Sequence, residues 1–290
     1  MGRDLAEAFP EAAEVFAEAN EVLGFDLRRL CWEGPAEELQ LTANQQPALV
    51  AVSTAAARVL AAQGLAPAAV AGHSLGEYSA LVAAGAVELA DALRLVRRRG
   101  ELMQEAVPVG VGAMAAILSL DVPTIRSLVA EAAQGQVCSV ANLNSPQQTV
   151  IAGHAEAVGR AIELAKAAGA RRAMLLPVSA PFHCELMAPA REGLEPMLRA
   201  TTFREAKVPV VVNVEAAPVT DGDGLREALV RQIEGSVRWV ESAERLAADG
   251  ATRFLEVGPG NVLAGLIKRI VEGVPVVAAG TAPDIAALTP

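Results

Sequence analysis

The stretch Ala68-Ala69-Val70-Ala71-Gly72-His73-Ser74-Leu75-Gly76-Glu77-Tyr78-Ser79 decides how the chain is read. A short apolar run, Ala68 to Ala71, meets Gly72-x-Ser74-x-Gly76, and Tyr78 to Ala84 continues as helix, so the order is strand, tight turn, helix. In that context the Gly-x-Ser-x-Gly spacing is the pattern of a nucleophile elbow, whose glycines admit a sharp turn that lifts the serine above the end of a sheet. The backbone N–H of Leu75 opens the new helix and points toward any oxyanion formed on Ser74. The same residues also read as an ordinary Gly-rich turn, and the flanking strand and helix weigh against that reading.

Upstream, residues 4 to 22 are Ala/Glu-rich with apolar residues at helical spacing, and no strand precedes them. Pro47 to Gln63 reads as a helix with proline at its start and Gly64 past its end. Downstream, Asp91 to Met103 reads as helix, Met114 to Leu120 as strand and Pro123 to Ala133 as helix. Strands Val137 to Leu143 and Thr149 to Ala152 flank Asn144-Ser145-Pro146. Helix Ala155 to Ala168 and strand Arg172 to Val178 complete a βαββαβ order, the split ferredoxin-like pattern. The rhythm then resumes with strand Val208 to Val214, helices Gly224 to Gln232 and Glu241 to Ala248, strand Thr252 to Val257, helix Val262 to Ile270 and strand Val274 to Val277. The expected fold is α/β. A hydrolase-like domain with a mostly parallel sheet, residues 1–110 and 180–290, is interrupted by a ferredoxin-like small domain over 111–179.

Composition narrows the function. The 290 residues are 52% hydrophobic and 20% charged, the balance of a globular chain. With 24 Lys plus Arg against 34 Asp plus Glu, the net charge of −10 disfavours nucleic acid and anionic membrane as main partners. Cys31, Cys138 and Cys184 are odd in number and far apart, without metal or disulfide spacing, which fits a reducing cytoplasm. Apolar runs break well before a membrane span, and no export signal is read at the N-terminus.

A reactive serine needs a base, and there are three histidines. His73 adjoins Ser74, and neighbours in a strand or tight turn point apart, so it reads as a packed residue. His154 opens a helix, capping it or facing solvent. His183 lies in a Pro-containing loop after the small domain's last strand, and elimination leaves it as the base, with a structural histidine as the alternative. Leu95, Val96, Leu102 and Met103 centre on the direction of Arg99, with Arg97 and Arg98 on the flanks. An arginine in an apolar stripe needs an acceptor, either a buried ion pair or a substrate carboxylate held bidentately. Ordinary α/β-hydrolases order their triad as Ser, acid, His with the histidine late in the chain, so a plain esterase fits poorly.

Gly72-His73-Ser74-Leu75-Gly76-Glu77-Tyr78-Ser79, Arg99-Gly100, the inserted βαββαβ unit, Phe182-His183 and Glu256-Val257-Gly258-Pro259-Gly260 occur in that order. As an ordered set, over nearly the whole chain, they resemble the malonyl-CoA:acyl-carrier-protein transacylases of fatty acid synthesis. The resemblance implies a two-domain fold and ping-pong transfer, with malonyl-CoA and the phosphopantetheine thiol of acyl carrier protein as substrates and no cofactor or metal. It implies Ser74 as nucleophile, His183 as base, the Gln232 backbone carbonyl as orienter of that histidine, and Arg99 as the grip on the malonyl carboxylate. Gln46 matches a glutamine of the acyl pocket, and Phe182 a bulky residue that crowds out an α-methyl group. Family members begin with a strand and a Pro-Gly-Gln-Gly-Ser-Gln loop that supplies a second oxyanion donor, and Met1-Gly2-Arg3-Asp4-Leu5 resembles the segment just downstream. The chain begun at Met1 is therefore expected to carry one donor of two and to be slow or poorly soluble until an upstream strand is added. The competing readings are a serine hydrolase or thioesterase, which would not need Arg99, and a weakly active relative that still binds carrier protein.

Overall fold

A computed structural model describes residues 1–178 and 180–288. Helices α1 (Arg3–Ala8), α2 (Pro10–Leu23), α3 (Leu27–Glu33), α4 (Ala36–Gln40) and α5 (Thr42–Ala62) come first, then β1 (Val70–Ala71), α6 (Gly76–Ala83) and α7 (Leu89–Glu105). β2 (Gly112–Leu118), α8 (Val122–Ala133), β3 (Cys138–Ser145), β4 (Gln148–His154), α9 (Ala155–Ala167) and β5 (Arg172–Leu175) follow. A 3-10 turn at Glu185–Met187 leads into α10 (Ala188–Ala200), β6 (Val210–Val212), β7 (Ala217–Val219) and α11 (Gly222–Gln232). The chain closes with α12 (Trp239–Ala248), β8 (Phe254–Val257), α13 (Val262–Ile267), β9 (Val276–Ala279) and α14 (Ala282–Ala286).

At two prolines the helices depart from the sequence reading. The first helical stretch breaks at Phe9, extended at φ −134° and ψ 125°, because the residue before Pro10 is pushed out of the helical region. Pro47 lies inside α5 instead of at its start. Without an N–H it leaves the Ala43 carbonyl free of its usual helical donor, and Arg97 Nη1 on α7 donates to that carbonyl at 3.2 Å. The sequence reading had not anticipated α3, α4, α10, α14 or β7.

β2 to β5 form one antiparallel sheet in the order β3-β4-β2-β5, with the βαββαβ connectivity read from the sequence. Side chains alternate across it: Ala115, Ile117 and Ile151 pack on α8 and α9 with Ile125, Val129 and Val158. Met114, Ala116, Val150 and Ala152 face Cys184, with Phe182 and Leu186 packed alongside. The edge of β3 is continued by Val237, whose carbonyl accepts from Leu143 N–H at 2.9 Å and whose N–H donates to Ala141 at 2.9 Å. This sheet is thus hydrogen-bonded to the later part of the chain. Ser179, the last residue of the expected small domain, and residues 289–290 lie outside the described residues.

The expected mostly parallel sheet is divided. β1 pairs parallel with β6, but β7 returns antiparallel onto β6 through a turn in which Ala216 N–H donates to Val212, a connection too short for a parallel crossover. β8 and β9 form a separate parallel pair. β1 and β8 both line a cleft of about 1440 Å³, with Ser53 and Ala57 of α5 and Ser79 of α6. The largest core lies among α2, α5, α6, α7, α10 and α11, around Phe16, Val52, Leu81, Leu93, Leu194 and Leu229. No helix among the described residues is long and apolar enough to cross a membrane, and the three cysteines are free.

Candidate active site

The elbow is built where β1 ends. Ser74 takes φ 52°, left-handed for a residue with a side chain, and a Cβ at Gly72 would sit 1.9 Å from the carbonyl carbon and oxygen of Gly76. Only glycine fits at 72. Gly76 has open space around its Cβ position and no positive φ, so the second glycine of the pattern is not sterically required. The turn is clamped from β6's end by Asn213, whose Oδ1 accepts from Ser74 N–H at 2.7 Å and whose Nδ2 donates to Gly72 O at 2.7 Å. Among the described residues the Leu75 N–H, just before α6, has no hydrogen-bond partner.

His183 approaches from the loop before the 3-10 turn, itself at φ 59°. Its Nε2 lies 2.7 Å from Ser74 Oγ, and its Nδ1 faces the carbonyls of Gln232 at 2.9 Å and Gly235 at 3.1 Å. Carbonyls only accept, so the proton is assigned to Nδ1 and the Nε2 lone pair is left for the serine hydroxyl. No carboxylate is part of this chain of contacts. Burial and then the nearby Arg99 charge push His183 down to about 3, so the imidazole is neutral at any physiological pH.

Arg99 stands at the middle of the buried face of α7, 3% exposed. Arg97 and Arg98, on the flanks, pair with Glu101. Arg99 Nη1 donates to Gln46 Oε1 at 2.8 Å, and Nη2 donates to Ser74 Oγ at 3.2 Å and to Gln232 Oε1 at 3.1 Å, with the Tyr78 ring 5.7 Å from Cζ. All its acceptors are neutral. Among the described residues it makes no ion pair, and its Nε has no partner. Burial lowers its pKa, with the Tyr78 and Glu77 charges acting against that. The contact with Gln46 depends on Gly100, because a Cβ there would meet Thr42 O at 2.6 Å and Ala43 Cα at 2.7 Å and force α5 away from α7.

The site holds residues the sequence reading did not single out. Glu77, on α6 and fully enclosed, accepts at Oε2 from Asn213 N–H at 3.1 Å and Gln232 Nε2 at 2.9 Å. Burial pushes its carboxyl up to about 7. Gln232 also donates to Ser74 O at 2.8 Å, so both its side chain and its backbone serve the site. Glu77 was within the quoted motif, and Asn213 was the one polar residue in Val210-Val211-Val212-Asn213-Val214. Phe182 packs between the main core and the four-stranded sheet. His73 stacks edge-on to Trp239 at 5.6 Å and hydrogen-bonds Asn144 at 2.8 Å, the packed role expected of it. His154 makes no side-chain cap; its Nδ1 accepts from Val137 N–H at 3.0 Å. The 1440 Å³ cleft reaches Gly72, His73, Leu75 and Gly76 from behind but not Ser74, Arg99 or His183, so the hydrogen-bond constellation, not the cleft, defines the site. Glu256, of the Gly-Pro-Gly segment, accepts from the first N–H groups of α13 at Leu263 (3.0 Å) and Ala264 (2.7 Å).

A serine hydroxyl within hydrogen-bond reach of a neutral imidazole, an N–H without a partner at a helix start and a buried cation without an ion pair among the described residues make an arrangement suited to acyl transfer from an anionic acyl donor. Residues 1–285 match the acyl transferase domain family. The chain is 55% identical over 273 residues to the malonyl CoA-acyl carrier protein transacylase of Escherichia coli K12, covering 94% of this chain and 88% of that protein. It is 49% identical over 271 residues to the one of Bacillus subtilis 168, covering 93% and 86%. The crystal structure of an acyl carrier protein S-malonyltransferase from Vibrio cholerae superposes with a TM-score of 0.98 at 48% identity, covering 99% of this chain and 94% of that one. A malonyl-transacylase solved in complex with its holo type II PKS acyl-carrier protein gives 0.97 at 49% identity, covering 100% and 94%. By sequence and fold together, the chain belongs to the acyl transferase domain family and, within it, to the malonyl CoA-acyl carrier protein transacylases.

Proposed function

We propose that the protein transfers malonyl from malonyl-CoA to the phosphopantetheine thiol of acyl carrier protein through a malonyl-serine intermediate at Ser74. The observation that carries this reading is the buried Arg99 guanidinium, paired with no carboxylate among the described residues and 3.2 Å from Ser74 Oγ. A desolvated cation without a directly bonded anion is costly, and a substrate carboxylate supplies one through two parallel N–H···O bonds. His183 Nε2 takes the Oγ proton as Oγ attacks the thioester carbon. The Leu75 N–H donates to the oxyanion, the carbon–sulfur bond breaks, and His183 hands the proton to the leaving sulfur, so coenzyme A departs as the thiol and the imidazole is neutral again. The carrier thiol then gives its proton to the neutral His183 and attacks the Ser74 ester; the ester carbon–oxygen bond breaks, and Ser74 Oγ leaves and takes the proton back from His183. The carbonyls of Gln232 and Gly235 hold the imidazole in the tautomer that both halves need, in place of a triad acid. A bound malonyl carboxylate also offsets the Arg99 charge that holds His183 down, so the base strengthens when the anionic substrate is in place.

Gln46 completes the Arg99 anchor, and Phe182 narrows the acyl pocket against an α-methyl group. The cytoplasm is the proposed location. A division into residues 1–110 with 180–290 and a smaller unit over 111–179 is supported by the separate apolar core between the four-stranded sheet and α8 and α9. The test is mass spectrometry of the protein quenched after mixing with malonyl-CoA. One malonyl group on Ser74, absent in Ser74→Ala, is expected. Label elsewhere, or free malonate released faster than carrier protein is loaded, would replace the transferase by a hydrolase.

A further inference from the structure

The fully enclosed carboxyl of Glu77 has no part in the transfer just described, yet it sits one contact away from both Arg99 and Ser74. Gln232 connects it to the first. Its Nε2 has two hydrogens, one given to Ser74 O at 2.8 Å and one to Glu77 Oε2 at 2.9 Å, which leaves Oε1 turned to Arg99 Nη2 at 3.1 Å. Rotated by half a turn, the amide would set its oxygen against two acceptors and its NH2 against a guanidinium. The acceptors thus select one orientation of the amide, and that orientation presents the oxygen Arg99 needs. Asn213 connects Glu77 to the elbow through its own N–H, which donates to Oε2 at 3.1 Å while its side chain clamps Ser74 N–H and Gly72 O.

We propose that Glu77 is a positioning residue for acyl selectivity: by accepting from Gln232 it fixes the amide that aims Arg99 at the acyl carboxylate. The proposal rests on the reading of Arg99 as the carboxylate anchor. What matters is acceptance at Oε2, not charge, because Oε1 has no partner among the described residues and can take a proton without disturbing either bond. The charged and titratable groups facing the carboxyl are Arg99, Glu215 and Tyr78. Glutamine fits the role: its own Oε1 can accept at the same place, with its NH2 at the position of the unpartnered oxygen.

The experiment compares kcat/KM for malonyl-CoA and acetyl-CoA, with the same carrier protein, in wild type, Glu77→Ala, Glu77→Asp and Glu77→Gln. The wild type must prefer malonyl; no preference would remove the Arg99 reading itself. Given that preference, the malonyl-to-acetyl ratio is expected to fall about tenfold or more in Glu77→Ala, the worth of one well-placed hydrogen bond. Glu77→Gln should hold the ratio within about threefold on the same scale. A residue that merely supports folding would lower both substrates together and leave the ratio unchanged. If Glu77→Ala does not fold, Glu77→Asp, which keeps the charge but withdraws the oxygens from Gln232, is expected to lose several-fold in the ratio. A wild-type ratio in the folded alanine or aspartate variant, or a ratio in Glu77→Gln as low as theirs, overturns the proposal.

Discussion

Arg99 is the residue whose energetics and function pull furthest apart. Burying a guanidinium costs several kcal/mol, which neutral acceptors, one aromatic face and the Glu77 carboxyl beyond Gln232 repay only in part. Arg99→Ala is therefore expected to leave the melting temperature unchanged or higher, to lose malonyl transfer by about a hundredfold or more, and to keep or gain acetyl transfer. Arg99→Lys should recover little, since a point charge cannot reproduce the planar fork. Equal loss for both thioesters, or a lower melting temperature, would make Arg99 structural. Glu77 gives a pH-dependent counterpart. Its folded pKa, about 7, lies above the unfolded value of 4.5, so its contribution to stability is fully present below 4.5 and is lost as pH rises through 7. Glu77→Gln removes that loss. The variant's stability relative to wild type should grow by about 3 kcal/mol between pH 4.5 and 8, which denaturant unfolding across that range checks. The opposite slope from His183, present in both proteins, cancels in the difference.

At the scale of elements, the site depends on two close approaches that glycine permits. At Gly72 any side chain would enter the backbone of Gly76, which is fixed by the first turn of α6, so Gly72→Ala is expected to abolish Ser74 labelling or soluble expression. Gly76→Ala meets open space in a helix and should cost nothing or stabilise by about 0.5 kcal/mol, with labelling retained. Labelling of both variants side by side is the measurement. Equal tolerance would mean that the β1–α6 turn can relax. Gly100 has the corresponding task between α5 and α7, and the Arg97 bond to the Ala43 carbonyl fastens the same junction where Pro47 withholds a donor.

For the whole molecule, charge sets the problem of recognition. This protein carries −10, so encounter with an acidic carrier protein would require a local positive surface. Arg171 and Arg172 at the start of β5, and Lys268 and Arg269 after α13, are exposed and make no ion pair among the described residues. Raising salt from about 0.05 to 0.3 M should raise KM for carrier protein several-fold with KM for malonyl-CoA changing less, and Arg172→Glu or Arg269→Glu should act in the same direction at low salt. A flat salt response would place docking on an apolar surface. The Val237 pairing to β3 bears on the same scale, because it ties the four-stranded sheet to the segment that carries Gln232 and Gly235.

Local pattern by itself determined the strand, turn and helix around Ser74, the βαββαβ order, and Arg99 on the apolar stripe of its helix. These follow from repeats of 2 and 3.6 residues and from turn chemistry that neighbours in sequence impose. The tertiary structure decided what meets Ser74. Its contacts to His183 and Asn213 span 109 and 139 residues, and no periodicity encodes which loop arrives there. It also decided that Gln232 contacts the site through both side chain and backbone, that Glu77 is an acceptor beside it and not a solvated helix residue, and that Pro47 sits inside a helix where a distant arginine takes the orphaned carbonyl. The division of the expected sheet has the same origin. Short strands such as β1 and β7 gain their definition from the strand beside them, and β7, with Pro218 on the edge of its sheet, is invisible without β6.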